Sequence, residues 1–151
     1  SAVVCQRALY LNEPLPRGQV LIYPATGSAH KTASHAEFAD GYLLTAGAMA
    51  WFASHYIEHP GQLRESSVSP AFAQDVSGLP PTFLLTAEFD PLRDEGEAYA
   101  KKLTAAGVPV SLRRYDGMIH GFLQLSAMVS AATTAIEEIA GWLRAQGSET
   151  S

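Results

Sequence analysis

The sequence predicts an α/β domain in which a parallel β-sheet is covered by helices on both faces. Short, apolar, β-rich runs alternate along the chain with segments of helical periodicity. An alternation of this kind is typical of parallel sheets, because a helix must carry the chain back before the next parallel strand can begin. The chain has 151 residues, 47% of them hydrophobic and 17% charged, so it is long and apolar enough to fold around one core.

The first predicted elements are a helix and a strand. Residues 1–10 are mostly apolar and predict a buried helix, which a turn cluster at 12–18 separates from the next element. The run 19-QVLIY-23, ended by Pro24, is typical of a short buried strand. Cys5 is the only cysteine and is expected to be a small buried residue; a single cysteine forms no internal disulfide and fits a cytoplasmic protein.

The second predicted helix follows a segment, 24–44, that has no regular pattern. Thr45 is placed to cap a helix that continues to about Ile57, and Pro60-Gly61 ends it. Four large side chains of this helix are interpreted as core packing or as packing beside a substrate, namely Met49, Trp51, Phe52 and Tyr56.

The C-terminal half repeats the strand-helix order. After a polar loop over 61–81, the run 82-TFLLTAEF-89 predicts a strand and 108–115 predicts another. The helix between them begins near Asp94 and Glu95, which are interpreted as acids that complement the helix dipole, and ends before a C′ glycine at Gly107. A last helix is predicted over 124–145, with an apolar stripe at Met128, Ala132, Ala135, Ile136, Ile139 and Leu143.

Two residues at predicted strand ends are candidates for chemistry. Asp90 follows the strand 82–89, and His120 lies in 115-YDGMIHGF-122, after the next strand. Neighbouring parallel strands end at the same edge of a sheet, so Asp90 could accept the Nδ1–H of His120 and stabilise its imidazolium form. Gly117 and Gly121 would allow that loop to bend. Ordinary turn chemistry at Asp90 and an ordinary loop histidine remain alternatives at this point.

These segments resemble one family. The segment 88-EFDPLRDEGEAYAKKLTAAGVPV-110 together with 115-YDGMIHGF-122 is similar to the C-terminal half of the hormone-sensitive-lipase-like carboxylesterases, which are bacterial α/β-hydrolases. Supporting similarities are 17-RGQVLIYPAT-26, Ser69-Pro70 and 78-GLPPTFLLTAE-88, so the resemblance runs from about residue 2 to residue 145. It implies that Asp90 is the acid and His120 the base of a Ser-Asp-His triad, that the substrates are small uncharged acyl esters, and that no cofactor or metal is used.

One part of the family pattern is missing from these residues. No serine lies in a G-x-S-x-G elbow, and there is no glycine-rich oxyanion loop. The opening SAVVCQRA resembles the helix that follows the elbow, which would place the nucleophile about two helical turns, or roughly seven residues, before Ser1. Residues 1–151 are therefore expected to be the C-terminal portion of the catalytic domain. They would lack the nucleophile elbow, the oxyanion loop and the N-terminal cap, and would be inactive alone.

Two other functions stay open. The run 55-HYIEH-59 matches the H-x-x-E-H signature of a helical zinc site, which would make the chain a zinc hydrolase. However, Pro60-Gly61 ends the helix at once, and a third carboxylate ligand would be needed. The other alternative is a non-catalytic binding or dimerisation module, in which the apolar edge of strand 19–23 could support a homodimer. His30 and His35 are predicted to be surface residues, and Arg93 to support the loop after Asp90.

Charge and hydropathy exclude further classes of partner. The net charge is −5 and the basic residues are scattered, so the footprint of a nucleic-acid-binding protein is missing. No apolar run approaches the roughly 20 residues that span a bilayer, so no membrane partner is expected. The expected partner is a small-molecule ester.

Overall fold

The computed structural model describes residues 1–27 and 31–148, which form one three-stranded parallel sheet and its covering helices. The strands are β1 (Gln19–Ile22), β2 (Thr82–Phe89) and β3 (Val110–Ile119). The α-helices are α1 (Ala2–Tyr10), α2 (Ala33–Glu37), α3 (Ala46–Tyr56), α4 (Arg93–Ala105) and α5 (Ser130–Ser148). Short 3₁₀ helices occupy Pro60–Arg64, Pro70–Phe72 and Phe122–Leu125.

The central strand, β2, pairs in parallel with both of its neighbours. Thr82 lies opposite Gln19 of β1 and Val110 of β3, so the three strands begin at one level and end at one edge. Helices cover both faces, as predicted. Leu84 packs with α1 and α4 on one face, whereas Phe83 and Leu85 pack with α5 on the other. Leu84 and Leu85 are fully buried, and each contributes about 1.5–3 kcal/mol through that burial.

The segment 24–44, predicted to be irregular, contains the short helix α2. Thr32 caps this helix: its Oγ1 accepts the backbone N–H of His35 at 3.3 Å, and its own N–H donates to His35 Nδ1 at 3.2 Å. The prediction of irregular structure was wrong for this helix. Five residues are too few to show a hydrophobic periodicity in the sequence.

The strand β3 continues to Ile119, four residues beyond its predicted end. The predicted loop 116–119 is strand because Ile119 pairs with Phe89 after an irregularity in the register. His120 therefore follows the strand directly, and Gly121, at φ +79°, turns the chain into the 3₁₀ helix that begins at Phe122.

The last helix starts later than predicted, at Ser130. Met128 lies ahead of it and is 79% exposed, so Met128 does not belong to the buried stripe. Ala132 and Ala135 are fully buried against the sheet, as predicted for the stripe, but Ile136 and Leu143 are 45% and 48% exposed, so their place in the stripe was wrong. Within the described ranges, the structure holds no helix that combines the length and the hydropathy needed to cross a bilayer.

The helix α3 is not a core helix. Thr45 caps it as predicted, accepting the N–H of Ala48 at 3.1 Å. Trp51 and Phe52 are each 58% exposed and Tyr56 is 70% exposed, so of the two interpretations given for these side chains core packing is wrong. The fully buried layers lie around the sheet instead, where β2 is covered on both sides.

Candidate active site

The two candidate residues meet at the edge of the sheet where β2 and β3 end. Phe89 of β2 pairs with Ile119 of β3, so the residues that follow them, Asp90 and His120, lie side by side. His120 Nδ1 is 2.8 Å from Asp90 Oδ2, a hydrogen-bond distance. The contact expected from the topology of the sequence is therefore present.

Asp90 is completely buried, and both of its carboxylate oxygens have a partner. Oδ1 accepts the backbone N–H of Leu92 at 2.8 Å, and Oδ2 faces His120. Because Leu92 is the N-cap residue of α4, the positive end of the helix dipole also favours a negative charge here. A buried carboxylate is costly unless it is paired, and these contacts hold Asp90 in one orientation.

His120 connects the buried acid to an open cleft. Its side chain is 21% exposed, and with Nδ1 bonded to Asp90 the other ring nitrogen, Nε2, is left for a further partner. No residue in 1–27 or 31–148 forms a hydrogen bond with Nε2. The Tyr23 ring packs 4.5 Å from the imidazole, and burial, with a smaller effect of the Asp90 charge, raises the pKa of Tyr23. Tyr23 therefore packs against the imidazole as an uncharged ring.

The cleft beside His120 has a volume of about 1210 Å³ and is mostly apolar. The start of α1, the end of β1 and one face of α3 form its walls. Met49, Phe52 and Tyr56 line it, so these three side chains do lie where a substrate could pack, whereas Trp51 does not. Small-molecule sites are usually apolar clefts of roughly 300–1,000 Å³ with a few polar groups, and this cleft slightly exceeds that range.

A buried carboxylate, Glu95, holds the segment that follows β1. Its Oε1 accepts the backbone N–H groups of Thr26 at 2.7 Å and Gly27 at 3.0 Å. Its Oε2 lies 3.0 Å from Nε2 of His35. Two predictions are corrected by this arrangement. Glu95 is more than a helix-start acid, and His35 is a half-buried partner of Glu95 and not a surface residue; His30 lies outside the described residues.

Asp94 and Arg93 brace the same region from the start of α4. Asp94 accepts the N–H of Ser34 at 2.8 Å and the Nε–H of Arg93 at 2.9 Å. Burial opposes its ionisation, but these hydrogen bonds and the Arg93 charge outweigh it and lower the pKa of Asp94. Arg93 also donates to the carbonyl of Glu88 at 2.9 Å. Arg93 thus joins the start of α4 to the end of β2, and its support of the loop after Asp90 stays a prediction.

Comparison with known proteins places the fold. A profile described as the α/β hydrolase fold matches residues 1–124. The chain belongs to the α/β-hydrolase fold family. Among its relatives, Carboxylic ester hydrolase LipN of Mycobacterium tuberculosis is 42% identical over 156 residues, which covers 96% of this chain and 40% of LipN. Ethyl acetate hydrolase of Pseudomonas putida is 37% identical over 117 residues, covering 78% of this chain and 37% of that protein.

Solved structures of esterases share this fold. The hyperthermophilic esterase from Pyrobaculum calidifontis superposes with a TM-score of 0.92 at 39% identity, over 97% of this chain and 48% of that one. An ester-hydrolase from the metagenome of Lake Arreo gives a TM-score of 0.91 at 44% identity, over 95% and 46% of the two chains. The chain thus spans less than half the length of each of these relatives. The fold class and the resemblance to carboxylesterases are confirmed.

The α/β-hydrolase chain does not form the helical zinc site. The helix α3 ends at Tyr56, and His59 has extended backbone angles, φ −149° and ψ 151°. His55 and His59 therefore do not lie one turn apart on a helix, and His55 Nδ1 contacts the carbonyl of Trp51 at 2.8 Å. No cluster of three or more metal-binding side chains occurs in 1–27 and 31–148.

Glu88 is a residue of the site region that the sequence did not single out. Its Oε2 accepts the N–H of Gly117 at 2.6 Å, which links the end of β2 to the residues just before His120. A glutamate near the end of a buried strand gives no signal of such a contact, because its partner lies 29 residues further along the chain.

Proposed function

We propose that this chain is part of a carboxylic ester hydrolase of the serine-triad type, with His120 as the base and Asp90 as the acid. The observation that carries the proposal is the 2.8 Å contact between buried Asp90 and His120, which lines an apolar cleft. Relatives that are named ester hydrolases support the same reaction class.

In each half of the proposed reaction, His120 first takes up one proton and then gives it away. Nε2 takes the proton of a serine hydroxyl as the serine oxygen attacks the ester carbonyl, and it then gives that proton to the departing alcohol. In the second half, Nε2 takes a proton from water, whose oxygen attacks the acyl-enzyme, and returns the proton to the serine. Asp90 holds the Nδ1–H and stabilises the imidazolium that forms at each step.

We place the nucleophilic serine outside residues 1–151. No serine in this sequence lies in a G-x-S-x-G elbow, and no serine hydroxyl of the described residues forms a hydrogen bond with His120. Ser34, one of the buried serines, instead donates to the carbonyl of Pro91 at 2.8 Å. The 151-residue chain alone is therefore proposed to lack ester turnover.

The proposed substrates are small, uncharged acyl esters. The cleft supports this choice because its walls are mainly apolar, and the acid among its described lining residues, Glu95, is already paired with His35 and two backbone N–H groups. An uncharged acyl chain could pack against Met49 and Phe52 without leaving a charge buried and unpaired. The single cysteine, Cys5, supports a cytoplasmic location.

The coding DNA immediately before the codon of Ser1 tests the proposal. An in-frame G-x-S-x-G run roughly seven residues upstream, about two helical turns, supports a serine hydrolase whose nucleophile precedes this segment. A start codon immediately before the Ser1 codon would favour the non-catalytic module instead. Hydrolysis of a short-chain nitrophenyl ester by residues 1–151 alone, abolished by Asp90→Asn, would contradict the placement of the serine.

A further inference from the structure

The contact between Asp90 and His120 depends on an irregularity in the pairing of β2 with β3. From Thr82 opposite Val110 to Ala87 opposite Tyr115, the two strands pair residue for residue. The next pair is Phe89 with Ile119, so Glu88 alone stands opposite 116–118. The strand β3 thus carries two more residues than β2 in this interval, which makes it a bulge.

Without this bulge, His120 would lie too far from Asp90 to form a hydrogen bond with it. Continuing the regular register past Ala87 and Tyr115 would bring Met118 opposite Asp90 and leave His120 two residues further on. Two strand residues extend about 6.6 Å, which is far more than a hydrogen bond can bridge. The bulge therefore decides whether the Asp90–His120 contact forms.

Two contacts of Glu88, which faces the bulge from β2, fix the backbone there. Gly117 has φ +76°, a conformation that glycine adopts without strain, and its N–H donates to Glu88 Oε2 at 2.6 Å. The Glu88 carbonyl accepts Arg93 Nη1–H at 2.9 Å. The Glu88 carboxylate thus provides an acceptor for an N–H that lies where the regular backbone pairing is interrupted.

We infer that Glu88 is a positioning residue, whose carboxylate holds the β3 bulge at Gly117 and so brings His120 onto Asp90. The inference concerns a contact within this chain, and only its importance for turnover rests on the proposed function. The relevant property of Glu88 is a hydrogen-bond acceptor at the right position, not its charge. A glutamine at this position keeps an oxygen acceptor, whereas an alanine does not.

The first test compares Glu88→Ala with Glu88→Gln by NMR of the 151-residue chain, following the imidazole ¹⁵N shifts of His120 as pH is varied. Asp90→Asn provides the spectrum of a histidine without its carboxylate partner. We expect Glu88→Gln to match the parent chain and Glu88→Ala to move towards the Asp90→Asn spectrum. An unchanged spectrum for Glu88→Ala overturns the inference, and so does a Glu88→Gln spectrum that matches Glu88→Ala.

A matched pair of glycine variants separates positioning from stability. Gly117 and Gly107 have φ of +76° and +81°, and a Cβ at either position would meet nothing within 4 Å. Each alanine variant therefore introduces similar backbone strain, and we expect similar falls in the denaturation midpoint. Only Gly117→Ala should shift the His120 resonances. Equal effects of the two variants on His120, or no effect of Gly117→Ala, would contradict the inference.

Catalysis supplies a separate measurement in the intact protein that contains residues 1–151. There, Glu88→Ala should lower kcat by about 10²-fold with little change in KM, and Glu88→Gln should restore it. If the intact protein hydrolyses no ester at all, the proposed function fails, while the NMR comparison still decides the role of Glu88. A Glu88→Ala enzyme with the parent kcat overturns the inference whatever the NMR result.

Discussion

Removing the Glu95 carboxylate should destabilise the chain more than a typical surface change. In Glu95→Ala, the N–H groups of Thr26 and Gly27 lose their acceptor, and His35 loses the partner of its Nε2. A buried group left without a hydrogen bond costs about 1–3 kcal/mol. These contacts share one carboxylate and are not additive, so we expect a total loss of about 1–3 kcal/mol.

Urea denaturation followed by circular dichroism measures this loss. Glu137→Ala, on the exposed side of α5, is the matched control and should stay within about 0.5 kcal/mol of the parent. The stability of Glu95→Gln should lie between those of Glu95→Ala and Glu137→Ala. Its amide oxygen can still accept both backbone N–H groups, but its amide N–H₂ cannot accept a hydrogen bond from His35. A Glu95→Ala chain within about 0.5 kcal/mol of the parent would refute the role given to this carboxylate.

Two further predictions concern stability. Leu84→Ala removes a fully buried side chain from the centre of the sheet, and the cavity should cost about 2–5 kcal/mol in urea denaturation; a loss below about 1 kcal/mol would contradict the packing. Asp94 has a pKa below its ordinary 3.8, so its stabilising effect is present above about pH 4 and lost as pH falls through that lower value. The stability difference between the parent and Asp94→Asn should therefore be constant near neutral pH and shrink in acid. A stability difference between the parent and Asp94→Asn that grows in acid would contradict the stabilising role of the Asp94 carboxylate.

The parts of the fold that the sequence predicted are those with long or repeated apolar patterns. The strand 82–89 was predicted at its observed bounds because it is mostly apolar and its first six residues are buried. The expected neighbourhood of Asp90 and His120 followed from parallel topology alone, since each residue was placed after one of two adjacent strands. The catalytic role of the pair remains a prediction.

The parts that were missed depend on contacts between residues far apart in the chain. Glu95 was interpreted as a helix-start acid, but its partner Thr26 lies 69 residues away, beyond the reach of any local pattern. The bulge at Gly117 is invisible for the same reason, because its form depends on how β3 pairs with β2. Local sequence marks Gly117 as flexible without telling whether a loop or a bulged strand results.

The kcat of Asp90→Asn, in the intact protein that contains residues 1–151, tests the central claim most directly. The exchange keeps the shape of the side chain but removes the carboxylate that contacts His120 Nδ1 and that, in the proposed mechanism, stabilises the imidazolium form. With a short-chain nitrophenyl ester as substrate, we predict a fall in kcat of about 10⁴-fold, while Asp75→Asn in the exposed part of the 61–81 loop leaves kcat unchanged. An Asp90→Asn enzyme that keeps the parent kcat would contradict the account.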